Sequence, residues 1–132
     1  MSIKSPSGST FPYYYKGGEL HALKYGGYHD DEQRLLAVIR AEEDFIRGRP
    51  AQRLRVWVDL CETELTATLA QLLAEHLKRL ECQLFKLALV GCPLAAKRRV
   101  QAALGRQDGG FTVPLQFFSD PEDAKTWLVG NQ

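Results

Sequence analysis

The sequence predicts an α/β domain: a single mixed, mainly parallel five-stranded sheet with an N-terminal hairpin and about four helices. Short apolar runs (VWV at 56–58, LALV at 87–90, LQFF at 115–118) alternate with segments whose apolar residues recur at helical spacing, the order that builds a parallel sheet with right-handed helical crossovers. The runs are continuous rather than alternating, as expected where both faces of a sheet are covered. At 132 residues and 14.9 kDa the chain fits one domain, large enough to bury a core without disulfide or metal staples. We place that domain at residues 11–132 and read the small, polar residues 1–10 (MSIKSPSGST) as a flexible tail.

After the tail, the β-prone Phe11 to Tyr15, the Gly17-Gly18 pair and the extended Glu19 to Tyr25 predict a hairpin. A stack of tyrosines can bind nucleobases or sugars, but with no basic stripe beside it the plainer reading is half-buried strand residues. Asp30 followed by Gln33 has the spacing of a capping box, and an acidic first turn suits the positive end of a helix dipole. The helix that follows carries Leu35, Leu36, Val38, Ile39, Phe45 and Ile46 on its apolar face, with Arg40, Glu43, Asp44 and Arg47 mostly outward; Gly48 and Pro50 end it.

The stretch from Leu54 to Leu80 is central. A strand closes at Asp59, and within a few residues the period changes to leucines spaced for a helix, with Leu69, Leu72, Leu73, Leu77 and Leu80 inward. His76 falls on the same stripe, where a core histidine bonded to a carbonyl or water is the plain reading. Leu84 to Val90 predicts another buried strand, interrupted by Lys86, and Ala95 to Leu104 a third helix. Val113 to Phe118 gives the last strand, and Asp120-Pro121-Glu122-Asp123 starts a short helix with an N-cap, a proline at the first position and two acids in the first turn.

Composition narrows function. Seventeen basic against sixteen acidic side chains give a formal net charge of +1, which offers no overall field for nucleic acid or an anionic membrane. No apolar run is long enough to span a bilayer. Cys61, Cys82 and Cys92 cannot all pair within one chain and lack zinc-site spacing, so we read them as reduced thiols in a cytoplasm. There is no GxSxG elbow, no GxGxxG or phosphate-binding loop and no histidine pair at zinc spacing. We expect no enzyme, no cofactor and no metal.

In parallel sheets, sites form at the carboxyl ends of the strands. That rule gathers Asp59, Cys61, Glu62, Thr63, Thr66, Cys92 and Ser119 on one rim, the candidate surface for a partner. Lys97, Arg98 and Arg99 sit in the first turns of a helix, where cations oppose the dipole. They form a candidate anion patch, with a solvated face as the plain alternative.

Four segments carry a family resemblance: GYHDDE at 27–32, VWVDL at 56–60, KLALVG at 86–91 and, most specific, FFSDPEDAKTWL at 117–128. Together they resemble the SpoIIAA-like family, whose fold is related to the STAS domains and compared with the CRAL-TRIO lipid-binding domains. The resemblance spans roughly Gly17 to Gly130. It implies a small bacterial, cytoplasmic domain with no established reaction. It also implies that the turn after the Asp-ended strand is a regulatory position, where anti-sigma factor antagonists carry a phosphorylatable serine in a DSSG-like sequence. Here that turn reads Cys61-Glu62-Thr63-Glu64-Leu65-Thr66, with no serine, and Glu62 and Glu64 would repel a phosphate on Thr63 or Thr66.

Three functions follow. The first is a protein-interaction or regulatory domain docking through the rim, with a homodimer left open. The second is a carrier of a nonpolar, lipid-like small molecule held between the sheet and the helices bearing Leu35 and Leu69. The third is a thiol enzyme using Cys61 or Cys92, which would require a cationic neighbour to lower the thiol pKa.

Overall fold

The computed structural model describes residues 3–49 and 53–130; Pro50, expected to help end the first helix, lies outside them. In chain order the elements are β1 (Ile3–Lys4), β2 (Thr10–Phe11), β3 (Tyr13–Tyr15), β4 (Gly18–Lys24), α1 (Glu32–Arg47), β5 (Leu54–Asp59), α2 (Ala67–Leu80), β6 (Leu84–Val90), α3 (Leu94–Gly105), β7 (Leu115–Phe118) and α4 (Pro121–Val129). One five-stranded sheet runs β3-β4-β5-β6-β7. Its β3–β4 pair is the predicted antiparallel hairpin, and the remaining pairs are parallel. The hairpin turns at Lys16 and Gly17, both at positive φ (48° and 84°), the backbone that tight two-residue hairpin loops require.

Strand periodicity sorts the core into two layers. Leu23, Val56, Val58, Leu87 and Leu89 face α1, α2 and α3, where Leu35, Ile39, Leu69, Leu73, Leu77 and Val100 close-pack against them. The alternate residues Leu20, Ala22, Trp57, Ala88 and Val90 face α4, which contributes Ala124 and Leu128. Lys86 shares the α4 side. Only 1 % exposed, it sends Nζ to the carbonyls of Trp127 (2.9 Å) and Gly130 (3.2 Å). A lysine inside an apolar strand is thus explained: it donates to carbonyls at the α4 C-terminus, adding to the Gly130 N–H bond that Trp127 already accepts.

Several expectations need correction. Residues 3–11 are not a loose tail: β1 and β2 pair antiparallel, and Ser5 and Ser9 are buried. The cap of α1 is Asp31, whose Oδ1 accepts from the Arg34 backbone N–H at 3.2 Å, so the Asp30–Gln33 box does not form. The helix α3 begins at Leu94, and Pro114 lies just before β7. Glu43, expected outward, is 9 % exposed, and its neighbour Glu42 is fully buried.

Those two carboxylates anchor a buried polar network. Glu42 accepts from the Ser5 hydroxyl (2.6 Å), from the Ser7 backbone N–H (2.8 Å) and hydroxyl, and from His21 Nε2 (3.2 Å). Glu43 accepts from Arg79 Nε and from His76 Nδ1, each at 2.8 Å. Since a carboxylate only accepts, His76 carries its proton on Nδ1, and Nε2 is left to accept from the Tyr25 hydroxyl at 2.9 Å. His76 is therefore a core histidine as predicted, but its partners are side chains rather than a carbonyl or water. Glu42 ties the N-terminal ribbon to α1 and β4; Glu43 ties α1 to α2.

Candidate functional site

The carboxyl ends of β4, β5 and β6 meet around the backbone of Cys61, and two glycines permit the approach. A Cβ on Gly26 would lie 2.7 Å from the Cys61 carbonyl oxygen; one on Gly91, whose φ is +87°, would overlap Cys61 Sγ and lie 2.9 Å from its backbone N. Any larger residue would push the three turns apart.

Hydrogen bonds then lock the turn after β5 to the turn after β4. The backbone N–H groups of Gly27 and His29 donate to the carbonyls of Cys61 and Glu62, and Glu64 N–H donates back to the His29 carbonyl, each at 2.8 Å. Asp59 Oδ1 accepts from Cys61 N–H at 3.0 Å. The Thr63 hydroxyl donates to the Tyr25 carbonyl at 2.6 Å and accepts from Tyr28 N–H at 3.2 Å. Thr66 caps α2, its Oγ1 accepting from Leu69 N–H at 3.1 Å. Both threonine hydroxyls thus hold the backbone in place.

The surface so fixed is acidic. Glu62, at the turn's tip, adopts φ +58°, a left-handed conformation that is strained for a residue with a side chain. Its carboxylate and those of Asp30 and Glu64 are exposed. An open depression of about 490 Å³ lies among His29, Asp30, Glu62, Thr63, Glu64 and Pro93. Cys92 and Ser119 line a neighbouring depression with Lys97, Phe117 and Phe118, across the Gly91–Pro93 turn. Of the seven rim residues predicted from sequence, Glu62 and Thr63 line the first depression and Cys92 and Ser119 the second; Thr66 lines a smaller one beside Asp30 and Glu64, and Asp59 and Cys61 line none of the three. His29, Asp30 and Glu64 belong to the first, acidic one; in the sequence His29 and Asp30 stand in the GYHDDE segment, with Asp30 also a candidate helix cap, and neither is marked as a site residue.

The side chains of the basic triplet have different neighbours. Arg99 Nη1 donates to the Leu65 carbonyl at 3.0 Å, bracing α3 against the rim turn. Lys97 Nζ lies 5.3 Å from the Phe117 ring centroid, and Arg98 is solvent-exposed.

Neither rim thiol is activated. Burial, with the Asp59 carboxylate beside it, pushes the Cys61 thiol up; burial pushes Cys92 up to about 11. At that value only about one Cys92 in ten thousand is thiolate at neutral pH, against a few per cent for an ordinary cysteine. Alkylation of Cys92 by iodoacetamide at pH 7 should be roughly a hundredfold slower than that of free cysteine, as read by mass spectrometry; an equal rate would contradict this environment. Among the described residues no group of three or more His, Cys, Asp or Glu side chains is placed to hold a metal ion, and no helix is long and apolar enough to cross a membrane.

No family model matches the sequence, and no curated protein matches it. Among solved structures, the chain is similar to the crystal structure of an uncharacterised protein of the DUF3478 family with a SpoIIAA-like fold, from Shewanella loihica PV-4. The TM-score is 0.51 at 15 % sequence identity, over 88 % of this chain and 89 % of that one. The chain has a SpoIIAA-like fold, as the four sequence segments anticipate. At this identity the likeness concerns fold.

Proposed function

We propose, taking the SpoIIAA-like fold as premise, that this domain is a non-enzymatic protein-interaction module whose docking surface is the acidic rim between the β4–α1 and β5–α2 turns. The observation that carries the reading is Glu62: a charged, exposed side chain held in a left-handed backbone conformation at the tip of a hydrogen-bonded turn. Strain of this kind persists where the surrounding structure imposes it and clusters at functional sites. A rigid surface loses little conformational freedom on binding. The carboxylates of Asp30, Glu62 and Glu64 suit a partner segment bearing lysine or arginine, which such a field would also steer toward the rim.

A non-catalytic role is supported by the raised thiol pKa values and by the structural use of both threonine hydroxyls. The carrier reading requires space between the sheet and the helices bearing Leu35 and Leu69. Those side chains, 1 % and 2 % exposed, pack within the main core, and no observation favours a ligand there.

The test is quantitative affinity capture with the wild-type chain and a Glu62→Lys/Glu64→Lys double variant. At least one protein should be enriched by the wild type and lost by about tenfold or more with the variant, consistent with a few desolvated charge contacts. Unchanged capture of every partner would remove the proposal. Glu62→Gly separates function from folding: glycine relieves the left-handed strain, so stability should change by no more than about 1 kcal/mol while capture falls.

A further inference from the structure

A second surface lies on the opposite side of the sheet from α1–α3, where the N-terminal ribbon and α4 flank β4 and β5. We propose that the cleft there binds a small organic anion with a flat apolar body, an aromatic carboxylate being the simplest case. The cleft measures about 220 Å³ and is lined by Thr10, Tyr13, Ala22, Lys24, Trp57 and Lys125. That is smaller than the roughly 300–1,000 Å³ of drug-sized pockets, so it limits the ligand to little more than one ring and its acid group.

Three features set the chemistry. Trp57 is nine-tenths buried, with 9 % exposure, and its indole N–H is buried with no acceptor among the described residues. An unpaired buried donor costs free energy that an incoming acceptor would recover. Around it the lining carries two lysines and no carboxylate. Lys24 is in no ion pair among the described residues, and a third ammonium, on Lys4, reaches Thr10 Oγ1 at 3.4 Å. The walls, finally, are aromatic: the Lys125 ammonium lies 5.3 Å from the Trp57 ring centroid and 5.6 Å from that of Tyr13. Donors and positive charge select an acceptor that is an anion, and the ring faces and Ala22 select a flat apolar body.

The indole nitrogen is covered, so an acceptor reaches it only when a lining side chain moves. Lys125, whose ammonium lies over the Trp57 ring, is the side chain the proposal moves. Its carboxylate partner is Glu122, at 3.2 Å; Lys125 is 15 % and Glu122 63 % exposed, so water competes at the carboxylate end of the pair. On binding, the ammonium would turn from Glu122 to the ligand carboxylate, and the indole N–H would gain its missing acceptor.

The experiment is a titration of the 15N-labelled chain with sodium benzoate, followed on the indole N–H resonances, with Trp127→Phe assigning the Trp57 signal. Benzoate should shift the Trp57 indole resonance saturably, and benzamide, equally flat but neutral, should bind at least tenfold more weakly. Acetate, charged but without the ring, should also be weaker. Lys125→Met should weaken benzoate about tenfold while leaving the rest of the amide spectrum in place, which shows the variant folded. A Trp57 indole signal unmoved by millimolar benzoate would overturn the proposal. So would equal binding of benzamide, or undiminished binding by a folded Lys125→Met variant.

Discussion

Glu42→Ala should lower unfolding stability by about 3 kcal/mol, the scale expected when one member of a buried, hydrogen-bonded ionic cluster is removed and its partners remain. The alanine strands the Ser5 and Ser7 hydroxyls, the Ser7 backbone N–H and His21 Nε2, all of which meet on this carboxylate. It also releases the N-terminal ribbon from α1. Urea denaturation reads the first effect, and faster hydrogen exchange at residues 3–11 reads the second. A loss below about 1 kcal/mol, with the ribbon still protected, would mean that this network does not hold the N-terminus.

The same network sets the pH dependence. Burial pushes the Glu42 carboxyl up, but the hydrogen bonds from His21, Ser5 and Ser7 outweigh it and leave the group below its ordinary value. Glu43 behaves alike, with Arg79 and His76 as the opposing donors. For a carboxylate depressed in the folded state, the stabilisation is present above the unfolded value of about 4.3 and is lost as pH falls through the folded one. Burial holds His76 below its ordinary value despite the pull of Glu43. Below about pH 6.5 the unfolded chain therefore takes up a proton on this residue that the folded chain refuses. Both contributions act in the same direction, and stability should fall toward acid, at up to about 1.4 kcal/mol per pH unit for each proton taken up. His76→Gln should flatten the limb that begins near pH 6.5 and keep the one near pH 4.

Gly91→Ala should be as damaging, at about 3 kcal/mol, by a different route. The position requires φ +87°, and its new Cβ would sit within 3.0 Å of the Cys61 Sγ, N and Cα atoms. Left-handed strain contributes about 1–2 kcal/mol and forced overlap about as much again. Cys61→Ser should not rescue it, because two of the clashing atoms are backbone. Thermal unfolding of the single and double variants checks this. A wild-type melting temperature for Gly91→Ala would contradict the close approach of the β6–α3 and β5–α2 turns on which the rim depends.

The parts of this fold legible in the sequence are those specified locally. VWV and LALV are apolar enough to reveal central strands, Asp120-Pro121 announces the start of α4, and Gly17 in a tyrosine-rich stretch marks the hairpin. The buried network was illegible because its partners are remote: Glu42 meets Ser5 across 37 positions and His21 across 21. A charged residue reads as outward until something buried is known to await it. The available signal was spacing, since Leu35, Ile39, Glu42 and Ile46 form one helical stripe, with acid where a fourth hydrophobe belongs.

The rim was legible in position but not in character. The sheet rule places the turn after Asp59 at the carboxyl end of β5, whereas the union of that turn with Gly27 and His29 depends on hydrogen bonds between backbones 33 to 35 residues apart in sequence, to which side-chain identity is blind. The left-handed Glu62 leaves no local mark at all. The basic triplet shows the converse: its members are consecutive in sequence, yet the helix turns Lys97 and Arg99 toward different neighbours.

Hydrogen–deuterium exchange of the wild-type chain, free and bound to a captured partner, tests the docking surface most directly. Bound protein should show new protection at residues 26–30, 60–66 and 91–93. Protection confined to β3, α4 or the N-terminal ribbon, with these three turns unchanged, would contradict the account.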